Sequence, residues 1–447
     1  RQPLLQNLEL LIARSQVGYL GLSDLAFQPF EIQQLVEQNY GYRLSTAEAD
    51  HLELETEGWI TGLILSPRLD RSGPGGQKSF ARLPGSGLHH YLERQILDPL
   101  PPEIRKFLLR TSLFYDFDTR LCEDVLGKTV YREKTDWDQL IGAVVRDNLF
   151  VLTFPEQENR FRYTQFFREF LRICLERELP GERNCILYRL AEVQLEGGVY
   201  EEAFKTLSEL GDHQAVVNLI EKVGSQLVRD GRYTTLMRWL DRVPAAYLDS
   251  SPDLLSLKGV VTLLGKEGAG AVPLLNRAER DFRSLGDRSG LAQTLVRRSA
   301  AHQFLGNPQA ALQDAQEALR LLGDEPESPL IQAGALNMIG VCLHDLGKTD
   351  EALTQLFAAL GLYRSRGDLG HVASTLLDLG MVYRGRGELR AAEEAYLEAM
   401  DFLRESSDKT RLANVLNNLG RFLLVQGNYL EAAGRFNQAM ECAAQIG

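Results

Sequence analysis

The chain has 447 residues, of which 44% are hydrophobic and 25% are charged, and its formal net charge is −12 at pH 7. This length and balance predict a soluble protein of about two to four globular domains. The negative charge disfavours binding to nucleic acid or to an anionic membrane, and no apolar run reaches the length of a membrane span. The five cysteines are too scattered for a zinc site or a disulfide framework, which fits a reducing cytoplasm.

The N-terminal part predicts short helices followed by a loop. Apolar residues at helical spacing begin at Leu25 and include a proline, Pro29, at a plausible first turn. Ser45 is placed as an N-cap, and Thr56 to Leu65 is predicted as a buried helix. Residues 66–87 are rich in Gly, Pro, Arg and Ser and are predicted to be a loop. Since the chain begins without Met and ends inside a helical pattern, we interpret it as a segment of a longer protein.

The loop contains a superficial match to a phosphate-binding P-loop at Ser72–Ser79. That motif has the form G-x-x-x-x-G-K-[ST], but Ser72 and Gln77 occupy its two glycine positions. No predicted strand precedes the segment either. We therefore expect a flexible linker and predict no catalytic residue in the chain.

Two adjacent histidines, His89 and His90, follow the loop. Neighbouring side chains diverge on a helix and cannot chelate one metal as an i, i+4 pair would. We predict no metal site and expect both histidines to be exposed to solvent.

Helices followed by a β-hairpin are predicted from Tyr91 onward. A second helix begins near Pro102, and two β-rich runs, 149–154 and 160–164, are separated by a polar turn. This order is typical of a winged helix. Such a domain is often a DNA-binding module, but without a basic run it is equally a packing module inside a regulatory protein.

The C-terminal half contains an internal repeat of about forty residues. Small residues recur at separations of 40, 41, 40 and 40, at Gly259, Ser299, Gly340, Gly380 and Gly420. A second series runs in step, at Ala278, Ala318, Ala359, Ala399 and Ala439. Between the two series a glycine-containing turn recurs, at Gly306, Gly347, Gly387 and Gly427. Paired helices approach closely only at small side chains, so the pattern predicts stacked helical hairpins with a concave surface.

Two of the units, Asn337–Ala352 and Asn417–Ala432, resemble a tetratricopeptide repeat (TPR) of the longer variety. The resemblance implies that the first helix of each hairpin lines the concave face and contacts ligands. Carried over, the ligand or partner-binding positions are Gln293, Gln303, Asn337, His344, Ser374, Arg384, Asn414, Asn417 and Arg421. For any one of them, a solvated polar position without a ligand is the alternative. The predicted fold is mainly α, a winged-helix domain plus a right-handed TPR α-solenoid of helical hairpins.

Five segments carry a wider resemblance, in the expected order along almost the whole chain. They are Leu25–Phe27, Thr56–Trp59 with Gly62-Leu63, Leu97–Ser112, Phe161–Leu171 and Gly231–Pro244. Together they look like MalT-type activators, which are STAND signal-transduction ATPases of the large LuxR-type class. The resemblance implies a nucleotide-binding domain, helical and winged-helix domains that clamp ADP, an arm, an inducer-binding TPR sensor and a terminal effector domain, commonly DNA-binding.

The same resemblance implies three residues near the nucleotide of the intact protein. Arg1 stands where the family carries a phosphate-sensing Arg after a strand, and Trp59 lies in one of the matching segments. Thr164 replaces a His that touches the nucleotide phosphate in relatives. Thr can donate a hydrogen bond but cannot carry a positive charge, which puts nucleotide sensing by this winged helix in doubt.

The predicted domains follow from this order. They are the trailing edge of a nucleotide-binding domain (1–24), a helical subdomain and loop (25–87), the winged helix (88–178), a helical arm (179–250) and the TPR sensor (251–447).

The leading functional hypothesis is the sensor segment of a STAND-type transcription regulator, located in the cytoplasm, whose repeats bind a small-molecule inducer or a protein or peptide. The alternative is a free-standing TPR scaffold that assembles proteins. We expect no cofactor, no membrane and no direct nucleic-acid contact for this segment. ATP or ADP binding and self-association are expectations for the intact protein.

Overall fold

The computed structural model describes residues 26–56, 58–59, 63, 87–131, 134–147, 149–153, 159–264, 268–323, 328–404 and 408–446. The chain forms two compact units, Arg1–Leu210 and Gly211–Gly447, and the boundary falls inside the predicted arm. The described residues form 22 α-helices and one β-hairpin, so the predicted mainly α fold class is confirmed. Arg1, the predicted segment 1–24 and the P-loop-like Ser72–Ser79 lie outside the described residues. No described helix is both long enough and apolar enough to cross a membrane.

The first unit contains nine of the described helices and the hairpin. The helices are α1 (Pro29–Tyr40), α2 (Thr46–Thr56), α3 (Gly87–Leu92), α4 (Pro102–Thr111), α5 (Thr119–Cys122), α6 (Trp137–Arg146), α7 (Gln165–Glu178), α8 (Glu182–Glu196) and α9 (Tyr200–Leu210). Single π-helical turns extend α3 and α5, at Glu93–Leu97 and Glu123–Gly127. The strands β1 (Val151–Thr153) and β2 (Phe161–Tyr163) pair antiparallel, with Val151 opposite Tyr163.

One continuous apolar core holds the winged helix together. Phe107, Phe117 and Phe167 are each almost fully buried in it. The Tyr163 hydroxyl is satisfied inside this core by the Thr111 hydroxyl at 2.7 Å. The predicted helix–hairpin order is thereby confirmed, because the hairpin and α7 close over α4.

The start predicted for one helix and the exposure predicted for one histidine are wrong. Thr56 ends α2, and Gly58 follows it with a φ of +70° and a carbonyl that accepts a hydrogen bond from the Phe27 amide at 2.9 Å, so no helix begins at Thr56. Leu63 is helical and its amide donates to the Trp59 carbonyl at 2.9 Å, while most of the predicted helix Thr56–Leu65 lies outside the described residues. His89 is buried against Phe170, with ring centroids 5.4 Å apart, and burial lowers the pKa of His89. His90 is exposed as expected.

The second unit begins with three helices and continues as five hairpins. The leading helices are α10 (His213–Arg229), α11 (Tyr233–Leu240) and α12 (Ala245–Ser250). The hairpins are α13 (Pro252–Leu264) with α14 (Ala271–Leu285), α15 (Arg288–Phe304) with α16 (Pro308–Leu322), α17 (Pro329–Asp345) with α18 (Thr349–Ser365), α19 (Leu369–Arg386) with α20 (Leu389–Arg404), and α21 (Lys409–Val425) with α22 (Tyr429–Ile446).

The small residues lie where the two helices of a hairpin meet, as predicted. A Cβ atom added at Gly259 would lie 2.7 Å from Leu275, and one added at Gly340 would lie 2.6 Å from Leu356. Ser299 tolerates its side chain because its hydroxyl donates to the Ala311 carbonyl at 2.7 Å. The turn glycines adopt the left-handed conformation that ends the preceding helix, with φ of +76°, +79°, +78° and +84° at Gly306, Gly347, Gly387 and Gly427.

Successive first helices of the hairpins touch one another along the solenoid. Contacts join α13 to α15, α15 to α17, α17 to α19 and α19 to α21. This places the first helices on the inner face of the stack, which is the face that the repeat pattern predicts for ligand contact.

Candidate ligand-binding face of the repeats

Several predicted inner-face residues form hydrogen bonds between neighbouring hairpins. Gln303 on α15 donates to the Asp345 carboxylate on α17 at 3.3 Å. Asn337 on α17 donates to the Asp378 carboxylate on α19 at 2.9 Å. These polar side chains therefore connect one repeat to the next.

Asp378 is a functional candidate that the sequence did not single out. Burial raises the pKa of Asp378 to about 7, against the opposing effect of the Asn337 hydrogen bond, and the nearby Asp345 charge raises it further. A carboxyl group with this pKa is partly protonated near neutral pH and can either donate or accept a hydrogen bond. The repeat spacing gave no indication of Asp378, because the equivalent positions of the other repeats hold Leu257, Arg297, Met338 and Asn418.

Arg297 is a second missed residue, on the inner side of α15. Its guanidinium donates to the hydroxyls of Ser256 at 2.8 Å and Ser225 at 3.0 Å. Burial lowers the pKa of Arg297 to about 10, and the nearby Asp253 charge opposes this shift. Gln293 reaches the same Ser225 hydroxyl at 3.4 Å. Gln293, one of the predicted inner-face residues, thus belongs to a cluster that also contains the Arg297 guanidinium and the Ser225 and Ser256 hydroxyls.

His344 and Ser374 have contrasting surroundings. His344 is half-buried, and its Nδ1 atom has no hydrogen-bond partner among the described residues. The Ser374 hydroxyl donates to the Gly370 carbonyl of its own helix at 3.2 Å. His344 therefore has unused hydrogen-bonding capacity, whereas the Ser374 hydroxyl is already engaged.

The last repeat presents an open polar surface. Asn414, Asn417 and Arg421 are exposed, and their spacing of three and four residues puts them on one side of α21. Arg384 on α19 is half-buried. Within the described part of the chain, neither Arg384 nor Arg421 forms a side-chain hydrogen bond or an ion pair.

A cavity of about 530 Å³ lies within the second unit, at the turn between α10 and α11. Its lining residues include Arg229, Arg232, Arg366, Asp368, Asp408 and Arg411. Arg411 pairs with Asp408 and donates to the Arg229 carbonyl, 182 residues earlier in the chain. Gly231 allows this approach, because a Cβ atom there would overlap the Asp408 carboxylate. Sequence spacing gave no indication of this contact.

The residues expected near a nucleotide have different environments. Thr164 precedes α7 and is 2% exposed, and its hydroxyl has no hydrogen-bond partner among the described residues. Trp59 stacks on Phe166, with centroids 5.0 Å apart and the planes 11° from parallel, and meets Phe150 edge-on. Trp59 thus packs against the winged helix, whereas the position of Arg1 stays outside the described residues.

No group of three or more His, Cys, Asp or Glu side chains suited to a metal ion occurs among the described residues.

Comparisons with known proteins match two parts of the chain to families. Residues 93–183 match the MalT winged helix domain, and residues 332–405 match the tetratricopeptide repeat. The chain is 26% identical over 404 residues to the HTH-type transcriptional regulator MalT of Yersinia pestis, covering 88% of this chain and 44% of that protein. It is 28% identical over 258 residues to the serine/threonine-protein kinase PknK of Mycobacterium tuberculosis, covering 57% and 23%. The chain thus spans less than half the length of these curated relatives.

A solved structure shows the same fold. The STAND protein with a tetratricopeptide repeat sensor from Pyrococcus horikoshii superimposes with a TM-score of 0.60 at 16% identity, covering 96% of this chain and 62% of that one. At this identity the likeness concerns the fold alone. Taken with the family matches, the chain carries a MalT winged-helix domain and tetratricopeptide repeats, and the resemblance of its motifs to MalT-type STAND regulators is confirmed.

Proposed function

We propose that the repeats act as the sensor of a STAND-type transcription regulator and that their inner face binds a small-molecule inducer or a protein segment. The observation that carries this proposal is the pair of hydrogen bonds between hairpins, from Gln303 to Asp345 and from Asn337 to Asp378. A ligand that takes over one of these groups changes a contact between two repeats. Binding at this face is thereby coupled to the arrangement of the solenoid.

This coupling is what a sensor requires. A ligand shifts a conformational equilibrium only through different affinities for the two states. A ligand on a single helix would leave the hairpin contacts unchanged, whereas one that replaces the Asn337–Asp378 bond favours an altered repeat geometry. The polar groups that join successive hairpins would give a ligand different affinities for the two repeat geometries.

The remaining parts of the proposal concern the intact protein, which we place in the cytoplasm. Its ATP or ADP would bind mainly outside this segment, and an effector domain of the LuxR type would contact DNA. We expect this segment by itself to catalyse no reaction, to bind neither ATP nor ADP in calorimetry, and to shift no DNA in gels at near-physiological salt. Micromolar nucleotide binding, or a sequence-dependent shift, would contradict these expectations.

The central experiment is a thermal-shift screen of the chain against sugars, amino acids, organic acids and nucleotides, followed by calorimetry on each hit. Asn337→Ala and Asn417→Ala should weaken binding of an inducer that uses the inner face. Gln309→Ala is the matched control, because Gln309 is exposed on α16, the second helix of its hairpin, and this variant should leave the affinity unchanged.

Two results would count against the sensor proposal. A hit whose affinity falls for Gln309→Ala but for neither inner-face variant would place the ligand elsewhere. Absence of any hit, together with a partner peptide bound in the inner groove, would favour the free-standing scaffold instead.

A further inference from the structure

The last two hairpins contact the beginning of the second unit through Arg411, near the start of α21. The Arg411 Nη1 atom donates to the Asp408 carboxylate and to the Arg229 carbonyl at the end of α10, each at 2.5 Å. Gly231 makes room for this approach, because a Cβ atom there would overlap the Asp408 carboxylate. Gly370 does the same on α19, because a Cβ atom there would lie 2.8 Å from Arg411 Nη1. The turn between α10 and α11 is therefore held against the starts of α19 and α21.

The cavity of about 530 Å³ lies at this contact, within the second unit. Its volume is in the range of sites for small organic molecules. Its charged lining residues are Arg229, Asp230, Arg232, Arg366, Asp368, Asp408 and Arg411. Arginines thus outnumber aspartates by one in this lining, in a chain of net charge −12. None of the predicted inner-face residues lines the cavity, so it is a separate place on the repeats.

The three aspartates of the lining already accept hydrogen bonds from the protein. Asp230 accepts from a glutamine side-chain amide of α10 at 2.7 Å. Asp368 caps α19 by accepting from the His371 backbone amide at 3.1 Å, and His371 Nδ1 lies 3.0 Å from the same carboxylate. Asp408 accepts from the Arg411 backbone amide at 2.9 Å and from its guanidinium. These carboxylates therefore have protein donors and need none from a ligand.

Three arginines of the lining, by contrast, keep unused donors. Arg366 is exposed, and its side chain forms no hydrogen bond or ion pair with a described residue. Among the described residues, Arg229 donates to the neutral Gln226 side chain, at 2.5 and 3.2 Å, and pairs with no carboxylate. In the side-chain bonds that Arg411 makes with described residues only its Nη1 atom takes part, which leaves its Nε and Nη2 groups available. A ligand that fits this cavity therefore supplies acceptors and negative charge.

We propose that this cavity binds a small anionic ligand, through a carboxylate or a phosphate group, between the α10–α11 turn and the starts of α19 and α21. Guanidinium groups bind both kinds of anion through charge-assisted hydrogen bonds. Arg366 meets the ligand at the surface, while the half-buried Arg229 and Arg411 hold it within the cavity. The site goes beyond the proposed inner-face sensor, because it lies at the contact that joins α10 to α21. Since Arg411 also makes that contact, an anion bound here adds a bond across it.

Calorimetry of the full chain with sodium phosphate and with sodium succinate, at an ionic strength held constant with chloride, tests the site. The variants are Arg366→Gln and Arg411→Gln, each of which removes one guanidinium from the lining. Arg364→Gln is the matched control, because Arg364 is exposed close to Arg366 in the sequence but is paired with Glu398 at 2.5 Å and does not line the cavity. Hydrogen exchange measured with and without the anion locates the bound ligand.

We expect the unmodified chain and Arg364→Gln to bind at least one of the two anions with equal affinity. Arg366→Gln should bind about three- to tenfold more weakly, and Arg411→Gln at least about tenfold more weakly, as expected for lost hydrogen bonds between charged groups. Arg366→Gln should keep the melting temperature of the unmodified chain, because its side chain has no partner among the described residues. The anion should slow hydrogen exchange in the α10–α11 turn and at the start of α21. Binding of phosphate alone indicates a phosphoryl ligand, and binding of succinate alone indicates a carboxylate ligand.

Saturable binding of neither anion to the unmodified chain would overturn the site. An affinity that falls equally in Arg364→Gln and Arg366→Gln would do the same, as would slowed exchange only in segments that do not line the cavity. If Arg411→Gln unfolds the repeats, Arg366→Gln still tests the site, since an unchanged affinity in that variant contradicts it. Such a failure would leave the sensor proposal intact, because none of its inner-face residues lines this cavity.

Discussion

The winged helix and the repeats bury their apolar side chains in different ways. In the winged helix, a single cluster joins residues far apart in sequence, as when Phe107 meets both Phe117 and Trp137. In the repeats, the apolar residues fall into several clusters, each built by adjacent hairpins. In the first arrangement, the stability of the whole domain depends on each central side chain. In the second, the stability of a hairpin depends mainly on the hairpins next to it. This difference predicts how far a local defect spreads.

The largest effect is expected in the winged helix. Phe167 is fully buried and contacts the rings of Phe150, Tyr163 and Phe170. Phe167→Ala should lower the free energy of unfolding of this domain by about 3–5 kcal/mol, through lost burial and the cavity left behind. Hydrogen exchange should show loss of protection throughout α4 to α7.

A matched control for this variant is Phe30→Ala, because Phe30 is 59% exposed and its removal leaves no cavity. If Phe167→Ala reduced protection only in α7, the winged helix would not unfold as one unit, and the contrast with the repeats would fail.

A defect inside the repeats should stay closer to its origin. At Gly380 a Cβ atom would already overlap the Tyr396 ring, so Gly380→Leu should cost roughly 1–3 kcal/mol or more by overpacking. Hydrogen exchange should increase in its own hairpin and in those that hold Gly340 and Gly420, while the winged helix keeps its protection.

Gly361→Leu controls for the change of residue type. A Cβ atom at Gly361 meets nothing within 4 Å, so this variant should be neutral or slightly stabilising through helix propensity. Unchanged stability of Gly380→Leu would show that the assigned repeat register is wrong.

Asp378 provides a pH-dependent test within the repeats. Its folded-state pKa of about 7 lies above that of an unfolded aspartate, so the native state binds more protons between the two values and its stability falls as pH rises through that window. Asp378→Asn removes this loss and should be more stable than the unmodified chain by about 1–3 kcal/mol at pH 8.

Urea unfolding followed at several pH values measures this difference. The advantage of Asp378→Asn should grow between about pH 4 and pH 7 and then level off. An advantage that is independent of pH would show that ionisation of Asp378 is not its cause.

The smallest effects on stability are expected on the open part of the inner face. Arg384→Ala and Asn417→Ala remove side chains that form no side-chain hydrogen bond with a described residue, so each should change the free energy of unfolding by no more than about 0.5 kcal/mol. Thermal melting checks this. Unfolding of the repeats by either variant would contradict the placement of these residues on a ligand-binding surface.

Much of the repeat architecture was predictable because it depends on short-range patterns. The spacing of Gly259, Gly340, Gly380 and Gly420 placed the close helix contacts, and the turn glycines have the expected positive φ. The β-hairpin was predicted for the same reason, since its two antiparallel strands lie within about ten residues of each other in the sequence. In each case the interacting residues lie within one structural unit, so periodicity and turn chemistry determine them.

Other structural features depended on contacts between residues that are distant in the sequence, which a local sequence pattern does not predict. No helix begins at Thr56, because the Gly58 carbonyl bonds to the Phe27 amide about thirty residues earlier in the chain, and His89 is buried because Phe170 on α7 packs against it. The raised pKa of Asp378 arises from enclosure between neighbouring first helices.

The sequence by itself therefore determined the hairpins, their register and the side of each helix that faces inward, because these follow from residue type and spacing. Only the tertiary structure decided which inner-face groups are paired. Arg411 reaches the Arg229 carbonyl 182 residues away, whereas Arg384 meets no carboxylate among the described residues. Both outcomes depend on how the stacked helices are displaced relative to one another. That displacement results from side-chain packing at many contacts along the solenoid.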